Sequence, residues 1–343
     1  MPPPPDTHAE AARDAAAPRL IAGAAAPPAG PYDADVLILS LDRTEDTLDA
    51  IDSALAQRGV SRHVLVLDQG SRPATLAALA ARIAGRADVT LLAASRNHGV
   101  AGGRNRAAAF GHGRIIAGLD NDAVFGSPDT LAGAVAVLDA DPGLAAIGLR
   151  IVVDATGDDD LLSWGYPRSL LPRAGDSFEA VTFVGAGHAI RRAAWEQAGG
   201  YDEALFFTWE EYDLCLRAIQ AGWRIRYHGE LCVRHRIAQE RRVDWSGARW
   251  FWFVRNRLYI ARKWGIGWPA LAPRIAGYLV KGLRHGLFGQ TVRALGAAAA
   301  MRPVRLRPSP AARRYLARHD AAHRGGVLTR LGREVFGLLP GRH

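Results

Sequence analysis

RIIAGLDNDAVF, residues 114–125, decides how the chain is read. A short apolar run ends in Asp120-Asn121-Asp122, and then the pattern turns apolar again. Taking a carboxylate out of water costs several kcal/mol unless something pairs with it. Two acids one residue apart, at the carboxyl edge of a strand, can share a hard divalent cation. Mg²⁺ and Mn²⁺ prefer oxygen ligands, and Mg²⁺ typically takes one or two carboxylates together with substrate phosphates. A polar turn is the plain alternative, since Asp and Asn are turn residues.

The stretches around it repeat its form. DVLILSL (35–41) is a continuous apolar run, as expected of a parallel strand covered on both faces. HVLVLD (63–68), VTLLAA (89–94) and LAAIGLRIV (144–152) read the same way. Helical patterns lie between them. Leu48, Ile51 and Leu55 share one face, residues 74–84 are rich in Ala and Leu, and residues 128–141 start with Pro128. RNHGVAGGRNRAAAF (96–110) is a Gly-rich loop running into a helix. Alternating strands and helices predict a doubly wound, mostly parallel α/β sheet, whose ligand lies beyond the carboxyl ends of the strands. Asp42, Asp68, Asn97 and Asp120–Asp122 all fall just after predicted strand ends, so four strands present polar groups to one crevice.

The chain has 343 residues, and its two cysteines, Cys215 and Cys232, lack metal or disulfide spacing, which fits a reducing compartment. Residues 1–34, rich in Ala and Pro, read as a disordered leader with no signal-peptide pattern. The net charge of +9 conceals a split: −9 over residues 1–240 and +18 from Arg241 onward. An acidic body can hold a cation, and a basic tail can meet an anionic surface. These features set a catalytic domain over 35–240 and a basic, helical, aromatic region over 241–343.

No apolar run is long enough for a transmembrane helix. The expected location is therefore cytoplasmic, peripheral on the inner face of the membrane. Trp245 to Trp268 interleaves aromatics with Arg and Lys. It fits a helix over the core, a nucleic-acid surface or an interfacial membrane helix. The membrane reading is preferred, because no nucleic-acid fold is recognisable.

Other motifs admit two readings each. NHGVAGGRN lacks the dinucleotide spacing and follows the third strand. Gly99 can serve a tight turn or a close approach to ligand. Arg104 opens a helix, where a cation is disfavoured, which suggests a task such as holding phosphate. Glu210, Glu211 and Asp213 begin another helix. They complement its dipole, with Asp213 four residues from Arg217, or one of them is a general base. His235 ends the last predicted strand and becomes a ligand if it returns toward Asp122.

Together these pieces resemble the inverting family 2 glycosyltransferases with a GT-A fold, over roughly Asp35 to Trp264. VLILSLDR is similar to the family's opening strand and loop, LDQGS to its D-[DN]-G-S motif, and LDNDA to its D-x-D. N-x-G-x-x-x-x-R-N is present from Asn97 to Asn105. GAGHAIRRAAWEQAGGYDEALF is similar to the acceptor-side segment, and WEEYDLCLRAIQAGWRI to the E-D-x-D-L-x-x-R helix.

The resemblance implies that Ser40, Asp42, Asp68, Asn97, Gly99, Arg104 and Asp120 bind a nucleotide sugar. Asp122, with His235, would hold Mg²⁺ or Mn²⁺, and Glu211 would be the base beside Asp213. It also implies a UDP- or dTDP-sugar donor, a glycan or lipid-linked acceptor of the cell envelope, an anionic membrane surface and no nucleic acid. Rhamnosyl- and galactofuranosyl-type transfers are among its members' reactions. Gln69 departs from the usual Asp or Asn, Asp42 from a common Asn, and Glu211 from the usual Asp. A sugar-phosphate nucleotidyltransferase is the alternative enzyme, but SLDRTEDT lacks the Gly-rich basic loop that it needs. A non-catalytic membrane- or nucleic-acid-binding α/β protein is the other alternative.

Overall fold

The computed structural model describes residues 17–236 and 247–323, with Gly332. The first strand, β1 (Arg19–Gly23), pairs antiparallel with β4 (Val89–Ala93). Part of the expected leader is thus a sheet edge: RLIAG carries enough apolar side chains to join a strand despite its Ala- and Pro-rich surroundings. Residues 1–16 lie outside the described residues.

The sheet's centre is parallel. β2 (Ala34–Ser40) lies between β3 (Arg62–Asp68) and β5 (Ile115–Leu119), and β3 pairs with β4. The period-two alternation of the strands feeds two cores. Val36, Ile38, Val64 and Val66 face α1 (Thr44–Leu55) and α2 (Pro73–Ile83), while Leu37, Leu65 and Leu67 face α3 (Gly99–Phe110). Strands buried on both sides are mainly apolar, which is why these runs are long; buried polar residues within them are paired, Asp35 with Arg192 and His63 with Thr90.

After β4 the chain crosses to the other side of β2 to form β5. The space beyond β2 and β5 is therefore the topological switch point, where open α/β sheets bind ligand. The remaining strands are β6 (Ala123–Phe125), β7 (Leu144–Val153), β8 (Ser177–Ala180), β9 (Gly187–Arg191) and β10 (Arg224–His235). β9 runs antiparallel between β5 and β7, which makes the sheet mixed. β10 carries an irregularity between His228 and Cys232. On the helical side stand α4 (Thr130–Ala140), α5 (Arg192–Ala198) and α6 (Glu210–Gln220).

The C-terminal helices are α7 (Gly247–Lys263), α8 (Trp268–Arg284), α9 (Phe288–Ala300) and α10 (Pro310–His319). Part of the aromatic segment turns inward. Trp250, Val254 and Leu258 of α7 are fully buried against Leu271, Tyr278 and Ala294, and Trp250 Nε1 donates to Thr291 Oγ1 at 2.8 Å. Residues 237–246, including Trp245, lie outside the described residues. The helices are not a detached extension. Ala312 enters the second core, and the Tyr315 hydroxyl accepts from the Ile225 amide at 3.1 Å.

Candidate active site

The acids of the 114–125 stretch stand at the switch point. Ligating atoms of Asp120, Asp122 and His235 all lie within 4.8 Å of one another. His235 reaches them from the carboxyl end of β10, with Nε2 3.7 Å from Asp122 Oδ1. Its other nitrogen, Nδ1, lies 2.8 Å from Asp160 Oδ2, which also accepts from Ser163 Oγ at 2.6 Å. A carboxylate on Nδ1 fixes the tautomer that leaves the Nε2 lone pair facing the acids, the usual support for a metal-binding imidazole. Two carboxylates and one imidazole suit Mn²⁺ or Mg²⁺, so the donor set and its buried Asp160 support fit a divalent ion.

Sequence reasoning missed Asp160, because its partner lies 75 residues away and nothing local marks it. Asp160→Ala is expected to weaken Mn²⁺ binding roughly 10–100-fold, read by calorimetry. Unchanged affinity would remove His235 from the ligand set. Arg43 was missed too. It sits just past β2 with φ +56° and places Nη1 2.8 Å from Asp122 Oδ2, giving that carboxylate a counter-charge.

The loops after β2, β3 and β4 form the rim. Asp68 is 2% exposed, and its Oδ1 accepts from the amides of Gly70 and Ser71, both at 3.1 Å. Among the described residues its Oδ2 has no hydrogen-bond partner, and neither has the buried Ser40 hydroxyl. Asp42 is occupied with shaping the rim: its carboxylate accepts from the Arg72 amide at 2.9 Å and from Arg72 Nε. Asn97 Oδ1 accepts from the Gly99 amide at 2.7 Å. Gly99 has φ +72°, and a Cβ there would meet the Phe206 carbonyl at 2.2 Å, so this turn requires glycine. Gln69, the departure from the family's motif, ties down the same turn. Its amide donates to Gly99 O at 3.2 Å and accepts from the His98 amide at 2.9 Å.

Arg104, which the resemblance assigns to the nucleotide, turns inward. At 2% exposure it donates to Asp120 Oδ1 (2.8 Å), the Gly185 carbonyl (2.8 Å) and Glu211 Oε1 (3.3 Å). One planar guanidinium thereby joins the acids of the cation cradle to the acid of α6. The misfit of a cation at a helix start was a sound signal, but its target is a pair of carboxylates.

The three acids of α6 separate cleanly. Asp213 is not at the cleft. Its carboxylate is fully buried between Arg217 Nε (2.8 Å) and Lys263 Nζ (2.9 Å), where it pins α7 to α6. The sequence pairs it with Arg217 but cannot anticipate Lys263. Glu210 is 2% exposed, and burial, reinforced by Glu211, pushes its carboxyl well above the ordinary range. Glu211 alone of the three lines a groove of about 870 Å³, together with Trp164, Tyr166, Trp209 and Tyr212. Burial raises its carboxyl while Arg104 pulls it down, with the net shift upward.

The approach to α6 is strained. Phe206, Thr208 and Trp209 have φ of +62°, +68° and +73°. Such backbone persists only when its surroundings fix it. The fully buried Asn256 of α7 does so, donating from Nδ2 to the carbonyls of Leu205, Phe207 and Thr208 at 2.7, 2.9 and 2.9 Å.

Comparisons with known proteins agree with this geometry. The chain is 37% identical over 122 residues to the succinoglycan biosynthesis protein ExoO of Rhizobium meliloti, covering 36% of this chain and 32% of that protein. It is 28% identical over 235 residues to the pre-mycofactocin glycosyltransferase of Mycobacterium tuberculosis, covering 66% and 47%. The chain therefore spans between a third and a half of these relatives' lengths. To the glucosyl-dolichyl phosphate glucuronosyltransferase of Haloferax volcanii it is 24% identical over 233 residues, 63% of this chain and 73% of that protein.

Among solved structures, a Pyrobaculum calidifontis mannosyltransferase in complex with GDP-Man and Mn²⁺ superposes with a TM-score of 0.52 at 20% identity, over 92% of this chain and 88% of that one. GalNAc-T7 with UDP, GalNAc and Mn²⁺ gives 0.58 at 15% identity, over 86% and 57%. At these identities the likeness establishes the fold, which is GT-A. The family model described as Glycosyltransferase like family 2 matches residues 31–257, two thirds of the chain, and the chain belongs to that family.

Proposed function

We propose that the protein is an inverting glycosyltransferase. It moves a sugar from a nucleoside-diphosphate donor to a hydroxyl of a glycan or lipid-linked acceptor in cell-envelope polysaccharide synthesis. The observation that carries this reading is the double link through Arg104, which joins Glu211 to Asp120 of the Asp120–Asp122–His235 cradle.

Asp122 and His235 would hold Mn²⁺ or Mg²⁺ with Asp120 beside them, and the ion would offset the charge of the departing diphosphate. Glu211 takes the proton from the acceptor hydroxyl. The hydroxyl oxygen forms the new bond to the anomeric carbon as the bond to the nucleoside diphosphate breaks. One displacement from the opposite face inverts the anomeric configuration. The Asp68 and Ser40 oxygens that lack partners among the described residues, at the ends of β3 and β2, offer polar contacts to the nucleoside, with UDP- or dTDP-sugars as the expected donors.

The test is slow donor hydrolysis without acceptor, screened over nucleotide sugars with Mn²⁺ and followed by chromatography of released nucleotide. Metal-dependent release from one donor supports the reading, and no release from any donor contradicts it.

Membrane attachment belongs to the same proposal. Among the described residues no helix is long and apolar enough to cross a bilayer. Val280, Leu283, Phe288 and Val292 on α8 and α9 are nonetheless exposed, Leu283 to 70%, with Arg284 and Arg293 nearby in sequence. An apolar patch among cations suits the interface of an anionic leaflet. The protein is expected to float with vesicles containing anionic phospholipid and not with neutral ones. Failure to float with anionic vesicles counts against the attachment.

A further inference from the structure

We propose that Asn256, on the C-terminal helix α7, is a positioning residue for Glu211: it fixes the chain that delivers this carboxylate to the groove. The assignment rests on Glu211 being the base.

Glu211 stands in the first turn of α6, which is entered through residues 206–209. That entry belongs to no helix or strand. Phe206, with φ +62° and ψ −58°, centres a three-residue turn in which the Phe207 amide donates to the Leu205 carbonyl at 2.7 Å. This is the rare and strained form of such a turn. Trp209 is left-handed, with φ +73° and ψ −3°. Without a hold on the carbonyls, rotation toward negative φ relieves both residues and turns the start of α6 with them. The body of α6 is seated by other means, since Leu214, Cys215, Ala218 and Ile219 lie in the second core. Its first turn, which carries Glu211, takes its direction from the strained entry.

Asn256 supplies the hold. A side-chain amide has two N–H bonds. Here they serve the carbonyls of Leu205, Phe207 and Thr208. The amide cannot face the other way, because Arg255 Nε donates to Asn256 Oδ1 at 2.8 Å. Arg255 also donates to the carbonyls of Ala204 and Leu205. Its guanidinium lies 4.2 Å from the centroid of Trp252, which stacks on Phe206 at 4.9 Å. The carbonyl that Asn256 leaves, that of Phe206, accepts from the Val100 amide at 2.7 Å in the first turn of α3. The same helix carries Arg104, which donates to Glu211 Oε1. The backbone before Glu211 is thus held from α7 and α3, and its carboxylate from α3. Misplacing a reacting group by about 1 Å can cost on the order of 10²-fold in rate.

Asn256→Ala and Asn256→Asp are compared with the wild type as full chains. The first removes both donors. The second keeps the shape and turns a carboxylate toward carbonyl oxygens. In Mn²⁺-dependent donor hydrolysis each is expected to lose about 10–10²-fold in kcat, with the donor KM within about twofold. The acid limb of the remaining activity moves, because Glu211 sits differently against Arg104. Hydrogen exchange read by mass spectrometry is expected to quicken about tenfold or more over residues 205–211, with β2, β3 and β5 unchanged. A residue that only packs would quicken exchange across the sheet and leave the acid limb in place. Should both variants fail to fold, Arg255→Met keeps the stem over Trp252 and removes the bond that orients the amide. It is expected to give the same local exchange and a moved acid limb.

Wild-type kcat and acid limb in a folded Asn256→Ala, or exchange quickened evenly over the sheet, overturns the proposal. Failure of the transferase reading looks different. The wild type then releases no nucleotide from any donor, and the positioning role falls with the base, whatever the exchange shows.

Discussion

Glu211→Gln is expected to lower turnover by roughly 10²–10⁴ while leaving donor binding near its original strength. The range corresponds to about 3–5 kcal/mol of transition-state stabilisation. The substitution keeps shape and removes the proton acceptor. It also leaves Arg104 with two firm partners, Asp120 and the Gly185 carbonyl, both at 2.8 Å, so the cleft should hold its form.

The pH profile carries a second signature of the same group. A general base works only when ionised, and burial raises the Glu211 carboxyl above its ordinary 4.5. Activity should therefore fall as pH drops through a value above 4.5, and that acid limb should vanish from the residual activity of Glu211→Gln. Near-normal turnover in the folded variant would exclude Glu211 as the base. Loss of donor binding along with turnover would mean that Glu211 organises the donor side through Arg104.

Much of this arrangement is legible in the sequence because parallel strands covered on both faces are mainly apolar. The runs at β2, β3, β4 and β5 read as such strands, and the polar residues that follow them then collect at one edge of the sheet. Asp120, Asp122 and His235, read from strand ends far apart in sequence, come within 4.8 Å of one another. What the sequence hides depends on distance. Asp160 supports His235 from a loop with no local signal. Lys263 reaches Asp213 across 50 residues and converts a candidate catalytic acid into a buried ion pair.

The aromatic helix α7 is ambiguous for a related reason. Trp, Phe and Arg at helical spacing suit a membrane interface and a helical core equally well, and only the presence of α8 and α9 places part of it in a core. Arg104 is a mixed case. Its awkward position at a helix start announces a task, but the choice between a phosphate and two internal carboxylates is made by the fold.

Asp122→Ala is the second large effect. Asp122 lies 2.8 Å from Arg43 Nη1 and 3.7 Å from His235 Nε2, and its loss leaves Asp120 and His235 as an incomplete donor set. Mn²⁺ affinity should fall by more than the roughly 10–100-fold that losing a supporting residue costs. Binding of the nucleoside diphosphate should fall with it, because its diphosphate is held through the ion.

Calorimetric titration of the preferred nucleoside diphosphate, with and without Mn²⁺, on the wild type and on Asp122→Ala, tests the account most directly. It predicts tight binding only to the wild type with Mn²⁺ present. Binding of equal strength without the metal, or an Asp122→Ala variant that responds to Mn²⁺ as the wild type does, would contradict it.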